Sequence, residues 1–203
     1  MTDLRIETYA GTAMAGLLPA LARLRMAVFR DWPYLYVGNP ASEEAYLADF
    51  VAAETAGLIV AFDGDTAVGC ATCVRLAEED AGLTSPFVAA GIDPARVFYF
   101  GESVLLPAYR GRGTGVAFFA AREAHARRVS DCDYAAFCAV VRPPDHPMRP
   151  PGAVPLDAFW RKRGFTPYPQ LECRMRWTQT DGPGEVENRL SFWLKPLREA
   201  KLP

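Results

Sequence analysis

The stretch from Val97 to Val129 limits most what this chain can fold into. VFYFGESVLL (97–106) has the β-branched and aromatic content of a strand. PAYRGRGTG (107–115) cannot extend it, and VAFFAAREAHARRV (116–129) is Ala-rich and helical, with Glu123 and Arg127 one turn apart. A strand therefore runs through a glycine turn into a helix. Glycines at 111, 113 and 115 remove side chains at alternate positions, so successive backbone N–H groups can converge on an anion. The helix that opens there adds its positive dipole end and the unpaired N–H groups of its first turn. Physically this is a phosphate cradle, and its plain rival is a tight turn that holds nothing. A dinucleotide fingerprint fails because its third glycine would fall on Val116, and a Walker-type loop fails for want of a Lys-Ser/Thr pair.

The elements around this unit are mixed. Leu4 to Tyr9 reads as a short strand, and Thr12 as the cap of a helix carrying Leu17, Leu18, Leu21, Leu24, Val28 and Phe29. After the aromatic turn DWPYLYVGNP (31–40), Ser42 with Glu43 and Glu44 opens a second helix to about Glu54. GLIVAFDGDTAVGCATCVRL reads as a hairpin turning at Asp63 to Asp65. Residues 79–95 look irregular, with Ser85-Pro86 starting one short helix. DYAAFCAVV (133–141) is a strand, and RPPDHPMRPPGAVP (142–155), with six prolines, is neither helix interior nor central strand. Pro155 to Arg163 is a short helix ending at Gly164, and QLECRMRW (170–177) and RLSFWLK (189–195) are strands about a DGPG turn. With no repeat and no linker, residues 1–203 form a single domain.

Composition narrows the function classes. A formal charge of −2 argues against a general nucleic-acid binder, yet residues 1–95 carry 5 basic and 13 acidic side chains and residues 96–203 carry 17 and 11. A basic second half on a near-neutral chain suggests a local anionic ligand, and a solvated helix face would produce the same numbers. The apolar runs are too short to span a bilayer, and the first residues lack a basic end followed by an apolar stretch, so a cytoplasmic protein is expected. Five cysteines make no disulfide framework. Cys70 and Cys73 form a CxxC inside a strand, where residues three apart point to opposite faces, so buried reduced thiols are expected rather than a metal site.

Arg110-x-x-Gly113-x-Gly115, after a strand and before a helix, resembles the Q/R-x-x-G-x-G/A signature of the GNAT family of N-acetyltransferases. Pro107 and Tyr109 stand at habitual positions, and AFWRKRGF (158–165) resembles the family's aromatic helix closing on Gly-Phe. The strand between the two, Tyr134 to Val141, is where the family's splayed fifth strand should be. The resemblance implies an α/β (α+β) fold: a central mixed, mostly antiparallel sheet of about seven strands flanked by about four helices, with two splayed parallel strands forming the CoA cleft. It implies an acetyl-CoA-dependent N-acetyltransferase acting on an amine of a small molecule or peptide by direct attack on the thioester, with acetyl-CoA as co-substrate and no metal. The amides of Gly111, Arg112, Gly113, Thr114 and Gly115 would hold the pyrophosphate, Leu105 and Leu106 would meet the pantetheine arm, and Arg110 and Arg112 would add attraction. A homodimer through the last strands is a family habit. The alternative is an acyl-CoA-binding sensor or interaction module that kept the cradle and lost turnover.

Amine attack on a thioester needs a neutral amine, whose pKa is ~10.4 when free, a donor for the oxyanion and a way for thiolate to leave. For the oxyanion a strand amide near Leu105 or Leu106 is available. For the base, Glu102 is the one acidic residue in VFYFGESVLL, and a carboxylate in an apolar strand otherwise needs a partner such as Arg. Gly101 before it is a place for a bulge. For the acid the chain departs from the family pattern, with Trp160 where many members carry Tyr. Tyr168, Cys138 and Tyr99 are the substitutes, and unassisted departure of a thiol of pKa ~8.5 is the other route. Tyr34, Tyr36, Asp145 and His146 are the candidates for the acceptor side, with a loop anchor the plainer account of His146 and a helix-face position expected for His125.

Overall fold

The computed structural model describes residues 4–203. Seven strands form one open sheet in the order β1-β2-β3-β4-β5-β7-β6: β1 (Arg5–Ala10), β2 (Gly57–Asp63), β3 (Thr66–Arg75), β4 (Val97–Leu105), β5 (Tyr134–Val140), β6 (Thr166–Thr178) and β7 (Glu185–Pro196). All neighbours are antiparallel except β4 and β5. Those two run parallel and pair only through Val97–Tyr134, Phe98–Ala135 and Tyr99–Ala136, after which they part.

Five α-helices cover the two faces: α1 (Leu18–Phe29), α2 (Pro40–Ala52), α3 (Ala81–Ala89), α4 (Thr114–Val129) and α5 (Asp157–Arg161). On one face Met14, Leu21, Leu24, Leu47 and Phe87 pack onto Leu58, Val60, Tyr99 and Phe192. On the other, Phe118, Phe119 and Phe165 pack onto Ile59, Phe98, Phe100, Phe137 and Trp193. Each strand of the middle of the sheet is thus apolar on both sides, as its unbroken runs require. Cys70 belongs to the first core and Cys73 to the second, so the CxxC spacing puts the two thiols on opposite faces.

Several boundaries differ from the sequence expectation for identifiable reasons. Gly11–Leu17 is a 3-10 turn leading into α1, so Thr12 caps no helix. Together Gly11–Phe29 is long and apolar enough to cross a membrane by length and composition, at mean hydropathy 1.3, despite the short apolar runs. In the fold it lays Met14, Leu21 and Leu24 on the sheet and carries Arg25 into an ion-pair network. Helix α2 starts at Pro40 rather than Ser42, because Asn39 accepts the Ser42 N–H (2.9 Å) and proline suits a first helical position. Asp80 starts α3 by accepting from Gly82 and Leu83, ahead of the expected Ser85-Pro86 start, and Pro86 falls inside the helix. His125 is buried rather than exposed on its helix, with Nε2 3.0 Å from the Thr55 carbonyl and Nδ1 2.8 Å from Arg128. Burial, with Arg128 beside it, lowers its pKa.

Candidate active site

The site begins with the glycine turn. Gly111 and Gly113 have φ of 76° and 84°, where a side chain would be strained, and a Cβ on either would meet nothing within 4 Å. The first amides to turn back into α4 are those of Val116 and Ala117, both donating to the Gly113 carbonyl. The N–H groups of residues 111–115 therefore have no protein acceptor among the described residues. The turn is held from behind: Arg110 Nε donates to the Leu105 carbonyl (3.1 Å), Arg112 Nη2 to the Ala108 carbonyl (2.8 Å), and the Tyr109 hydroxyl to Asp63 (2.8 Å). Both arginines that the sequence marked for attraction are thus folded onto the loop backbone. Unpaired amides at a helix N-terminus, beside open space, suit a phosphate group.

Where β4 and β5 part, β4 leaves an unpaired edge beyond Tyr99. Leu106 N–H donates to the Val68 carbonyl (3.0 Å), so it faces β3 and is not free to meet a ligand. Strand amides alternate between edges, so the N–H of Leu105 faces the gap. At the apex the Tyr99 hydroxyl lies 3.1 Å from Cys138 Sγ. Cys173 and Tyr99 stabilise the Cys138 thiolate and hold its pKa below the usual thiol value, against the effect of burial. Burial and the Cys138 charge push Tyr99 well up.

Glu102 follows a bulge. Ala71 pairs with Ser103 and Cys73 with Phe100, so Gly101 and Glu102 together face Thr72. Thr72 Oγ1 accepts the Glu102 N–H (3.1 Å), and a Cβ on Gly101 would lie 2.5 Å from that same oxygen. The bulge turns Glu102 toward α1 and α2, where Arg25 Nη1 lies 2.5 Å from Oε1 and the Tyr46 hydroxyl donates to Oε2 (3.2 Å). Arg25 Nε also donates to Glu43 (2.6 Å), which accepts from the Tyr36 hydroxyl (2.8 Å). Burial works against the Arg25 charge, but Glu102, Tyr46 and Glu43 outweigh it and raise its pKa. Two carboxylates around one guanidinium leave this buried network at net −1.

Not every candidate reaches this place. Tyr34 packs its ring against Phe29 of α1 and Trp177 of β6, with centroids 4.4 and 6.0 Å apart, and burial, then the charges of Cys138 and Glu102, raises its pKa. Tyr36 serves Glu43, and burial with that bond takes it up to about 12. Tyr168 does not reach it, because β5 and β7 separate β6 from β4 and its hydroxyl donates to the Pro203 carbonyl (2.8 Å). Asp145 and His146 line an open hollow of about 410 Å³ within the proline-rich loop. His146 anchors that loop, accepting the Met148 N–H at Nδ1 (3.2 Å) with Nε2 3.6 Å from Asp181. Trp160 is packing, its ring 5.0 Å from those of Phe137 and Trp193.

Glu79 is the residue that sequence reasoning passed over. It follows the 3-10 turn Leu76–Glu78, and burial, then Glu102, Asp80 and Glu78, raise its carboxyl to about 7. In sequence the acidic patches of residues 43–80 hint at a cationic partner and are explained equally well by a helix surface, so the EED run does not single out Glu79.

The likeness to known proteins agrees with this geometry. A ribosomal-protein-alanine N-acetyltransferase from Brucella melitensis is 14% identical over 95% of this chain and 99% of its own, with a TM-score of 0.60. An acetyltransferase from Thermus thermophilus is 15% identical over 97% and 99%, at 0.59. The putative acetyltransferase yncA from Salmonella typhimurium, solved with its cofactor acetyl-CoA, is 14% identical over 100% and 98%, at 0.55. No curated protein matches the sequence. The pattern of the Acetyltransferase (GNAT) family matches residues 21–165, a span that holds the parted strands, the glycine turn and the aromatic helix. With these features in that order, the chain belongs to the acetyltransferase (GNAT) family.

Proposed function

We propose that this protein moves the acetyl group of acetyl-CoA onto a primary amine of a small molecule or peptide by direct attack on the thioester. The observation that carries the reading is the set of unpartnered amides at residues 111–115, lying beyond the end of the strand that parts from β5. Those amides and the N-terminus of α4 would hold the pyrophosphate, while Arg110 and Arg112 keep the turn in shape. The Leu105 N–H would donate to the carbonyl oxygen as it gains negative charge, Leu106 being committed to Val68. Glu102, fixed by Arg25 and Tyr46, supplies negative charge where the amine arrives and is the base the sequence suggests. Cys138 and Tyr99 flank the apex, so they are better placed than Tyr168 to give the departing sulfur a proton.

Trp160 and the engagement of Glu102 with Arg25 favour a second reading, a CoA-binding module without turnover. One experiment tests the first and leads to the second: melting curves with acetyl-CoA, CoA, NADH and ATP at equal concentration. A ligand at a hundred times its dissociation constant adds about 2.7 kcal/mol, several degrees in Tm. Acetyl-CoA and CoA should raise Tm, and NADH and ATP should not. No shift with either CoA species would remove the cradle and the function together. A shift without amine-dependent loss of thioester would leave the binding module.

A further inference from the structure

The fold almost closes off the base that the sequence suggests. Glu102 is 8% exposed, with Arg25 Nη1 2.5 Å from its Oε1 and the Tyr46 hydroxyl donating to its Oε2 (3.2 Å). An amine approaching this carboxylate meets one of those two groups first. Arg25 is fixed, since the same guanidinium donates to Glu43 (2.6 Å) and lies over the rings of Phe29 and Tyr46, 5.4 and 4.4 Å from their centroids. Tyr46 is placed differently. Among Arg25, Tyr36, Glu43, Tyr46 and Glu102 it alone is exposed, at 39%. Its ring rests against Arg25 while its hydroxyl reaches Glu102, so one side chain spans from solvent to the buried carboxylate. That carboxylate lies on β4 beyond Tyr99, the last residue paired with β5, and three positions before Leu105. The contact therefore stands beside the unpaired length of strand along which the thioester would lie. Burial and the charge of Glu102 push the Tyr46 phenol well up, so it holds its proton at rest.

We propose that Tyr46 is the catalytic residue that meets the amine and relays its proton to Glu102. The inference rests on the acetyltransferase reading and gives the route to its base. The neutral amine forms the C–N bond at the thioester carbon, which leaves positive charge on nitrogen and negative charge on oxygen. An N–H bond then breaks toward Tyr46 Oη as the Tyr46 O–H proton moves to Glu102 Oε2. Tyr46 ends neutral, and Glu102 ends as a carboxylic acid. The oxyanion re-forms its carbonyl, and the C–S bond breaks with its electrons on sulfur. Glu102 returns the proton through Tyr46 to water, and the thiolate takes one up, so the products are an amide and a free thiol. A phenol suits this task because its oxygen accepts one proton while giving another. The relay also lets Glu102 act as base without parting from Arg25, which would strand a buried charge.

The test follows acetyl-CoA thioester absorbance with n-butylamine, phenethylamine and a glycyl tripeptide as acceptors, in mixtures of light and heavy water. Tyr46→Phe keeps the ring against Arg25 and removes only the hydroxyl. It should lower kcat about 10²-fold, with KM for acetyl-CoA and the Tm shift with CoA unchanged. Glu102→Gln should lose a similar factor, and the double variant no more than the slower single one, because both residues serve one proton. In the wild type kcat should fall along a curve as the deuterium fraction rises, since two protons move together. In Tyr46→Phe that curvature should be gone. A Tyr46→Phe enzyme as fast as wild type overturns the relay. A slow one with the curve intact does so too, because Tyr46 then only steadies Glu102. Full activity in Glu102→Gln overturns it as well, as does a wild type that binds CoA and acetylates none of the three amines. If CoA itself fails to raise Tm, the parent reading is what has failed.

Discussion

Arg25 stands between two carboxylates drawn from different parts of the chain, Glu43 on α2 and Glu102 on β4, with side chains only 1% and 5% exposed. Removing it orphans both charges, so Arg25→Ala should cost about 3–5 kcal/mol. In a chain of this size that is roughly 10 °C in Tm by calorimetry. Arg25→Met combined with Glu43→Gln and Glu102→Gln should melt well above the single variant, since no buried charge is left alone. Glu79 has the opposite character. Its folded pKa is raised above the unfolded value, so the carboxyl stabilises the fold below about pH 4.5 and that contribution is lost as pH rises through about 7. Glu79→Gln should therefore melt several degrees higher than wild type at pH 8 and gain nothing at pH 4.5. Equal curves at both pH values would place that carboxylate in open solvent. Sequence reasoning could ask for a partner to Glu102, because charge in an apolar strand needs one. It could not name Arg25, because only the tertiary fold brings α1 against β4. Glu79 was less legible still, since its burial comes from the tertiary fold and not from its neighbours in sequence.

The strand, glycine turn and helix were the most legible elements because each rests on local chemistry. The bulge at Gly101 was legible for the same reason. Short helices were misplaced where a cap outranked the pattern, as Asp80 did over Ser85-Pro86 and Asn39 over Ser42. At Gly113 backbone strain and ligand binding can be separated. Gly113→Ala should cost about 1–2 kcal/mol, because the left-handed conformation disfavours a Cβ. Open space around that position means no neighbour has to move. The variant should also bind CoA more weakly by isothermal titration, since a methyl group would stand in the anion cradle. Normal affinity with reduced stability would confine Gly113 to a turn.

Across the whole molecule, the seven mostly antiparallel strands and the one parallel pair that parts follow what the resemblance implied, because the family pattern spans most of the chain. What it did not convey is how the loop proposed to face the acceptor is held. The loop with Tyr34 is stitched to distant strands: Arg142 donates to the carbonyls of Pro33 and Tyr34 (2.7 and 2.9 Å), and Trp177 Nε1 to Tyr34 (3.0 Å). A bridge between Tyr36 and Gln179 adds to this. These contacts join residues more than a hundred positions apart, beyond the reach of any local pattern.

The early end of the β4–β5 ladder has one more consequence. Past Tyr99 and Ala136 the sheet carries a free edge in its own middle, where most proteins place their slowest-exchanging amides. The Leu105 amide should therefore exchange with deuterium far faster than those of Val60 or Phe192, although all three sit on central strands. Saturation with CoA should slow it, along with the amides of residues 111–115, and leave the outer strands unchanged. If Leu105 is already protected in the free protein, the seam is closed at rest and has to open before anything can enter it.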